Sequence, residues 1–156
     1  MKNKFALALL CLGLFLFSCK KSGSNIPAPL TQTAAISFKF NGNSSSLDTT
    51  EAVITQERLQ LKGSGNNGYY NNANEKLYIS VANKVGTSAV GENGVSAGIN
   101  LMGAGFLDQF KATKGIVTIT AISPKSVSGT FEFVAAMSGG SVINVTDGQF
   151  TLNVSN

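Results

Sequence analysis

The chain has 156 residues, with 12 basic and 8 acidic side chains, two Cys, no His and no Trp; one ordinary domain fits that length. The absence of His excludes a Ser-His-Asp or Cys-His couple, His-ligated zinc and an imidazole proton shuttle. Both Cys lie in the first 19 residues, so the folded body has no thiol nucleophile, no thiolate metal site and no disulfide.

The chain opens on Lys2 and Lys4, followed by 13 apolar or small residues from Phe5 to Phe17. A helix of that length rises about 20 Å, short of the roughly 30 Å hydrocarbon core of a bilayer. The run therefore reads as the apolar region of a secretory signal and not as a membrane span. It ends at Leu16-Phe17-Ser18-Cys19, which resembles the lipobox of bacterial lipoproteins. That resemblance implies cleavage after residue 18, a diacylglyceryl group on the Cys19 thiol and an acylated new amino terminus. Acyl chains at about 0.8 kcal/mol per buried CH₂ anchor a protein without a transmembrane helix. Removal of residues 1–18 takes away two of the 12 basic side chains and leaves 138 residues with a formal charge of +2. Ten scattered Lys and Arg do not make the clustered basic face that nucleic acid requires.

Residues 19–34 carry the lipidated Cys and a polar, Ser/Gly/Pro-containing stretch without periodicity. They read as a flexible tether with a reach of about 20 Å. Lys20 and Lys21 read as solvated charges beside anionic headgroups. No Asp follows Cys19, and no acidic residues follow Lys20-Lys21. The start is similar to that of Bacteroidota-type lipoproteins, and without the acidic residues it favours the periplasmic face of the outer membrane over the cell surface.

The body, 35–156, reads as strands almost throughout. Ile36, Phe38 and Phe40 alternate with polar residues and lead to an Asn41-Gly42 hairpin turn. The same alternation places Leu59 and Leu61 on one face, then Leu77, Ile79 and Val81, then Val95, Ala97, Ile99 and Leu101. Residues 106–112 suggest one or two helical turns, with Phe106 and Phe110 at i, i+4 on one face. Residues 116–122 are almost all β-branched, as suits a strand with both faces partly covered. Phe131, Phe133 and Ala135 form another strand face. An Asp147-Gly148 turn precedes the last, made by Phe150, Leu152 and Val154. Strands recurring every 10 to 20 residues with Gly, Asn and Ser between them predict a single antiparallel β-sandwich, with a small β-barrel as the alternative. Seven Phe remain after the signal, enough for one core in which most are buried.

The closing stretch runs Gly115-Ile116-Val117-Thr118-Ile119-Thr120, then Val127-Ser128-Gly129-Thr130-Phe131-Glu132-Phe133, then Val145-Thr146-Asp147-Gly148-Gln149-Phe150. It is similar to the recurrent ending of a lipoprotein family of domains of unknown function, and Phe38-Lys39-Phe40-Asn41-Gly42 resembles the first hairpin of such proteins. The resemblance implies a small secreted β domain. It carries over no functional residues.

Residues 63–68 match G-x-G-x-x-G, but loop composition follows where a dinucleotide site needs a helix. Residues 63–75 hold five Asn, three Gly and two Tyr and read as a long polar connection. Within it Tyr69, Tyr70, Asn71 and Asn72 are candidate ligand contacts, since Tyr rings stack on sugars and Asn amides bond hydroxyls. Asp48, Glu51, Asp108, Glu132 and Asp147 are the carboxylates to test for paired acid/base work. Asp147 already has a role in a turn and Glu132 an outward strand position, and no calcium-loop spacing occurs. Asp48-Thr49-Thr50 resembles the O-glycosylation site of exported Bacteroidota proteins, with Thr49 as attachment point on an exposed loop. The sequons at Asn43, Asn144 and Asn153 read as accidents of composition in a bacterial lipoprotein.

The sequence thus predicts no enzyme, no cofactor and no metal site. It predicts an outer-membrane lipoprotein held through Cys19, a non-catalytic binding or accessory module contacting a glycan or an envelope partner. The alternative is a structural, protein-interaction component of the envelope with no small ligand.

Overall fold

The computed structural model describes residues 35–67, 73–103 and 106–155, and every helix or strand element among them is a strand. In chain order these are β1 (Ala35–Phe40), β2 (Asn43–Leu47), β3 (Thr49–Ile54), β4 (Arg58–Asn67), β5 (Ala73–Ala82), β6 (Gly86–Ala89), β7 (Ser96–Gly103), β8 (Phe106–Ile122), β9 (Ser126–Ala136) and β10 (Val142–Ser155). All ten join in one sheet, ordered β2-β1-β10-β3-β4-β5-β7-β8-β6, and β9 pairs with both β8 and β10. Every pairing is antiparallel except a short one, where Val154 and Ser155 run parallel to Ala52 and Val53. Pairing thus returns from β8 through β9 to β10. The sheet folds over on itself in a sandwich-like all-β arrangement, with one face of every strand except the short β6 turned into a single core.

The period-2 alternation decides which face that is. Ile36, Phe38 and Phe40 are buried on β1, Leu59 and Leu61 on β4, Leu77, Ile79 and Val81 on β5, and Ala97, Ile99 and Leu101 on β7. Asn41 and Gly42 both have positive φ, 46° and 84°, the conformation of a tight two-residue hairpin, and Phe40 faces Asn43 across it.

The closing sequence pattern resolves into a packing device. Gly115 lies opposite Phe133, Gly129 opposite Phe150, and Gly148 opposite Phe131. A Cβ on any of these glycines would fall inside 3.0 Å of the facing phenylalanine. At Gly129 and Gly148 the missing side chain makes room for a ring, and at Gly115 for the close approach of the Phe133 backbone and Cβ. The Phe131 centroid is 6.0 Å from those of Phe38 and Phe133 and 6.4 Å from that of Phe150, within the range of favourable aromatic pairs.

Four expectations are corrected. Residues 106–112 are the start of β8 and not a helix: β7 pairs with them from Gly103↔Phe106 to Gly98↔Lys111, which turns Phe110 inward and leaves Leu107 54% exposed. Asp147-Gly148 is not a turn. Val145 faces Phe133 and Gly148 faces Phe131, so Thr146 and Asp147 together oppose Glu132. This is a β-bulge inside a continuous strand, with Asp147 at φ 53°. Residues 63–67 and 73–75 belong to β4 and β5, so the long connection predicted over 63–75 shrinks to 68–72. Thr49 is not on a loop; it is exposed, but it opens β3 and pairs with Ser64. On β8, Ile116 is 41% exposed, so only one face of that strand is well covered there.

Candidate functional site

The outer face of β3, β4, β5 and β7 sets polar and charged side chains around the aromatic ring of Tyr78. Because Leu59, Leu61, Leu77, Ile79 and Ile99 point into the core, the residues between them must point out. Register then sets them in two adjoining rows. One runs Glu51, Lys62, Tyr78, Gly98; the other runs Thr49, Ser64, Lys76, Asn100. Together they line a shallow groove of about 320 Å³.

Tyr78 supplies the one aromatic ring of this groove's lining. Its phenol end rests over Gly98, where a Cβ would collide with the ring, so glycine supplies the seat. The ring is half-buried, and that burial raises the phenol above its ordinary pKa of 10.0. At neutral pH the hydroxyl is therefore protonated and can both donate and accept. Lys62 and Lys76 are exposed, and among the described residues neither forms an ion pair, although Glu51 faces Lys62 in register.

The predicted contacts Tyr69, Tyr70, Asn71 and Asn72 lie outside the described residues, as does Cys19. Within the β4–β5 ladder, Ser64↔Lys76 of the groove stands three pairs before the last described pair, Asn67↔Ala73. Thr49 lines the groove itself.

The predicted carboxylates are mostly dispersed. Asp48 is exposed between β2 and β3, Glu51 lies in the groove, and Asp108 is half-buried opposite Leu101. Glu132 and Asp147 line one surface depression beside Ile116 and Gln149. Asp147 is already engaged by Lys39 at 2.9 Å. That hydrogen bond, and then the charge attraction, hold Lys39 above the ordinary lysine value. Any stability from the pair is present at neutral pH and is lost as pH rises past the raised lysine value. No group of three or more Asp, Glu, His or Cys among the described residues is placed to hold a metal ion.

Sequence reasoning missed Glu75, the fully buried carboxylate of β5. Its Oε2 accepts a hydrogen bond from Ser45 Oγ of β2 at 2.7 Å. The reach is possible because Gly65, between them on β4, has no side chain, and β2 lies where its Cβ would go. The close approach accounts for Gly63 and Gly65 of the G-x-G-x-x-G match, since Leu47 and Ile36 occupy the space over Gly63 as well; Gly68 lies outside the described residues. Counting back two residues from Leu77 would have placed Glu75 on the inner face. Ser45→Ala is expected to destabilise the domain by about 1–3 kcal/mol, since it removes a donor from a buried carboxylate. Urea denaturation measures this, with exposed Ser44→Ala as the neutral control.

Arg58 holds the segment before β7 in place. Its guanidinium donates to Ser80 Oγ and to the carbonyls of Asn93 and Gly94, a fork only arginine supplies.

Comparisons with protein-family models, with curated proteins and with solved structures each found no match.

Proposed function

We propose that this chain is an outer-membrane lipoprotein, anchored through Cys19 and facing the periplasm, whose β domain is a non-catalytic binding module for glycans. The observation that carries the reading is Tyr78 seated on Gly98 in a groove edged by Lys62, Lys76, Glu51 and Asn100. An amphipathic ring flanked by hydrogen-bonding groups is the combination that sugars use, since their faces are apolar and their rims carry hydroxyls. The groove is near the lower end of the size range of small-ligand sites, about 300–1,000 Å³. It is built on paired strands, so its groups are held in place before a ligand arrives. The resemblance to lipoproteins of unknown function fits this reading without adding a residue to it.

Tyr78→Ala is the test. Titration of the purified protein against a panel of oligosaccharides should show affinity falling about tenfold or more on loss of one stacking ring, on the order of 1.4 kcal/mol. The far-UV spectrum and denaturation midpoint should change little, and Tyr78→Phe should retain most of the affinity. Equal binding by wild type and Tyr78→Ala would remove this face from the proposal.

A protein partner in the envelope is the second reading. It is favoured by Met102 and Leu107, which face each other across β7 and β8 and are 39% and 54% exposed. A stable cross-linked partner in intact cells, with no response to any sugar, would favour it over the first.

A further inference from the structure

We infer that the groove on β3, β4, β5 and β7 selects glycans carrying acidic groups, an inference that rests on the glycan reading and narrows it to polyanionic sugars such as polyuronates. Charge placement around Tyr78 is the ground for it. Lys62 faces Tyr78 directly across β4 and β5, a separation of about 5 Å between Cβ atoms. Lys76 is two residues away on the same face of β5, about 7 Å along the strand. Lys111 follows Gly98 in the same cross-strand row, on the far side of the phenol end. Among the described residues of this face Tyr78 is the one aromatic side chain, and lysines occupy three register positions around it, two of them in the groove lining.

These lysines are not used up internally. Lys39–Asp147 is the ion pair formed among the described residues, and it lies on β1 and β10. Glu51 is the single carboxylate in the groove, so the two lysines that line it outnumber it. Lys62 and Lys76, as diagonal neighbours on adjacent strands, repel each other, and an anion bound between them relieves that repulsion. The Tyr78 phenol, kept neutral, adds a hydrogen-bond donor and no opposing charge. Hydroxyls alone would be served by Asn, Ser and Gln, which this protein has in abundance elsewhere on its strands. Three lysines around the ring specify something more than a neutral sugar.

The experiment is calorimetric titration of the full chain in detergent with trigalacturonate and trimannuronate, each beside its methyl ester, which keeps the rings and removes the charge. The acids should bind about tenfold or more tighter than the esters, and added NaCl should weaken only the acids. Lys62→Gln and Lys76→Gln should each lower affinity for the acids roughly threefold, and the double variant about tenfold, with the esters unaffected. Both are exposed substitutions that leave the core intact. Esters binding as tightly as acids would overturn this inference while leaving the glycan reading in place. Binding of neither class, with no effect of Tyr78→Ala, would overturn both. Lysine-dependent binding to phosphatidylglycerol vesicles without binding of the acidic trisaccharides would overturn it in favour of a lipid headgroup.

Discussion

Phe131→Ala is expected to cost about 3–5 kcal/mol, a large share of the stability of a domain this size. Phe131 is 3% exposed and sits among Phe38, Phe133 and Phe150. Its loss removes the transfer free energy of a whole ring and leaves a cavity against the inner face of three neighbouring strands. β1, β9 and β10 all contribute to that cluster, and each is hydrogen-bonded into place. The surroundings therefore have little freedom to collapse into the hole. Equilibrium denaturation in urea measures the loss. Phe131→Leu should cost clearly less, because it keeps most of the buried volume. Equal midpoints for wild type and Phe131→Ala would mean that the cluster does not hold this core together.

Gly129→Ala should be nearly as damaging, although it adds only one methyl group. The new Cβ would stand 2.6 Å from Phe150 Cζ and still closer to the Thr118 carbonyl oxygen. A side chain could swing aside, but the carbonyl belongs to β8, whose own ladder to β9 fixes it. The strands must part or the ring must leave its rotamer, and overpacking of this kind costs about 1–3 kcal/mol, here at the upper end or beyond. Gly139 supplies the contrast. A Cβ there meets only Met137 Cε at an ordinary 3.5 Å, so Gly139→Ala should stay within about 0.5 kcal/mol of wild type. Two chemically identical substitutions, ten residues apart, are thus separated by what faces them across the sheet. If both variants melt like wild type, the Gly–Phe interlock carries no weight.

These two predictions bear on how the closing pattern of the chain is to be understood. Gly115, Gly129, Gly148, Phe131, Phe133 and Phe150 act together in the core, and their side of the sheet offers no chemistry of its own. The pattern marks a way of packing the core. The groups with binding potential lie instead on the outer face of β3, β4, β5 and β7, where substitution leaves the core untouched. Tyr78, Lys62 and Lys76 can therefore be varied one by one, and a lost ligand read as lost contact rather than as unfolding.

Some of this protein could be read from its residues alone, because the signals involved are local. Alternation with a period of two belongs to each strand by itself, so Ile36-Phe38-Phe40, Leu77-Ile79-Val81 and Phe131-Phe133 identify their own inner faces. Asn41-Gly42 makes a hairpin because both residues tolerate positive φ. The all-β class and the single core follow from such pieces. Tertiary structure decided the rest, where a residue's preference is satisfied in two ways and a distant strand chooses. Asp147-Gly148 suits a turn and a bulge equally, and β9 and β1, pairing on either side of β10, make it a bulge. Phe106 and Phe110 are four apart, which fits a helix face and also, by parity, one face of a strand; pairing with β7 selects the strand. β2, with Leu47 its one apolar residue, has almost no pattern to read. Glu75 is buried only because β2, 30 residues away in sequence at Ser45, crosses over Gly65 to meet it. The groove around Tyr78 has the same origin. Its lining comes from Thr49 to Asn100 on four strands, and no segment of the chain holds enough of it to be recognised before the register of the sheet brings the rows together.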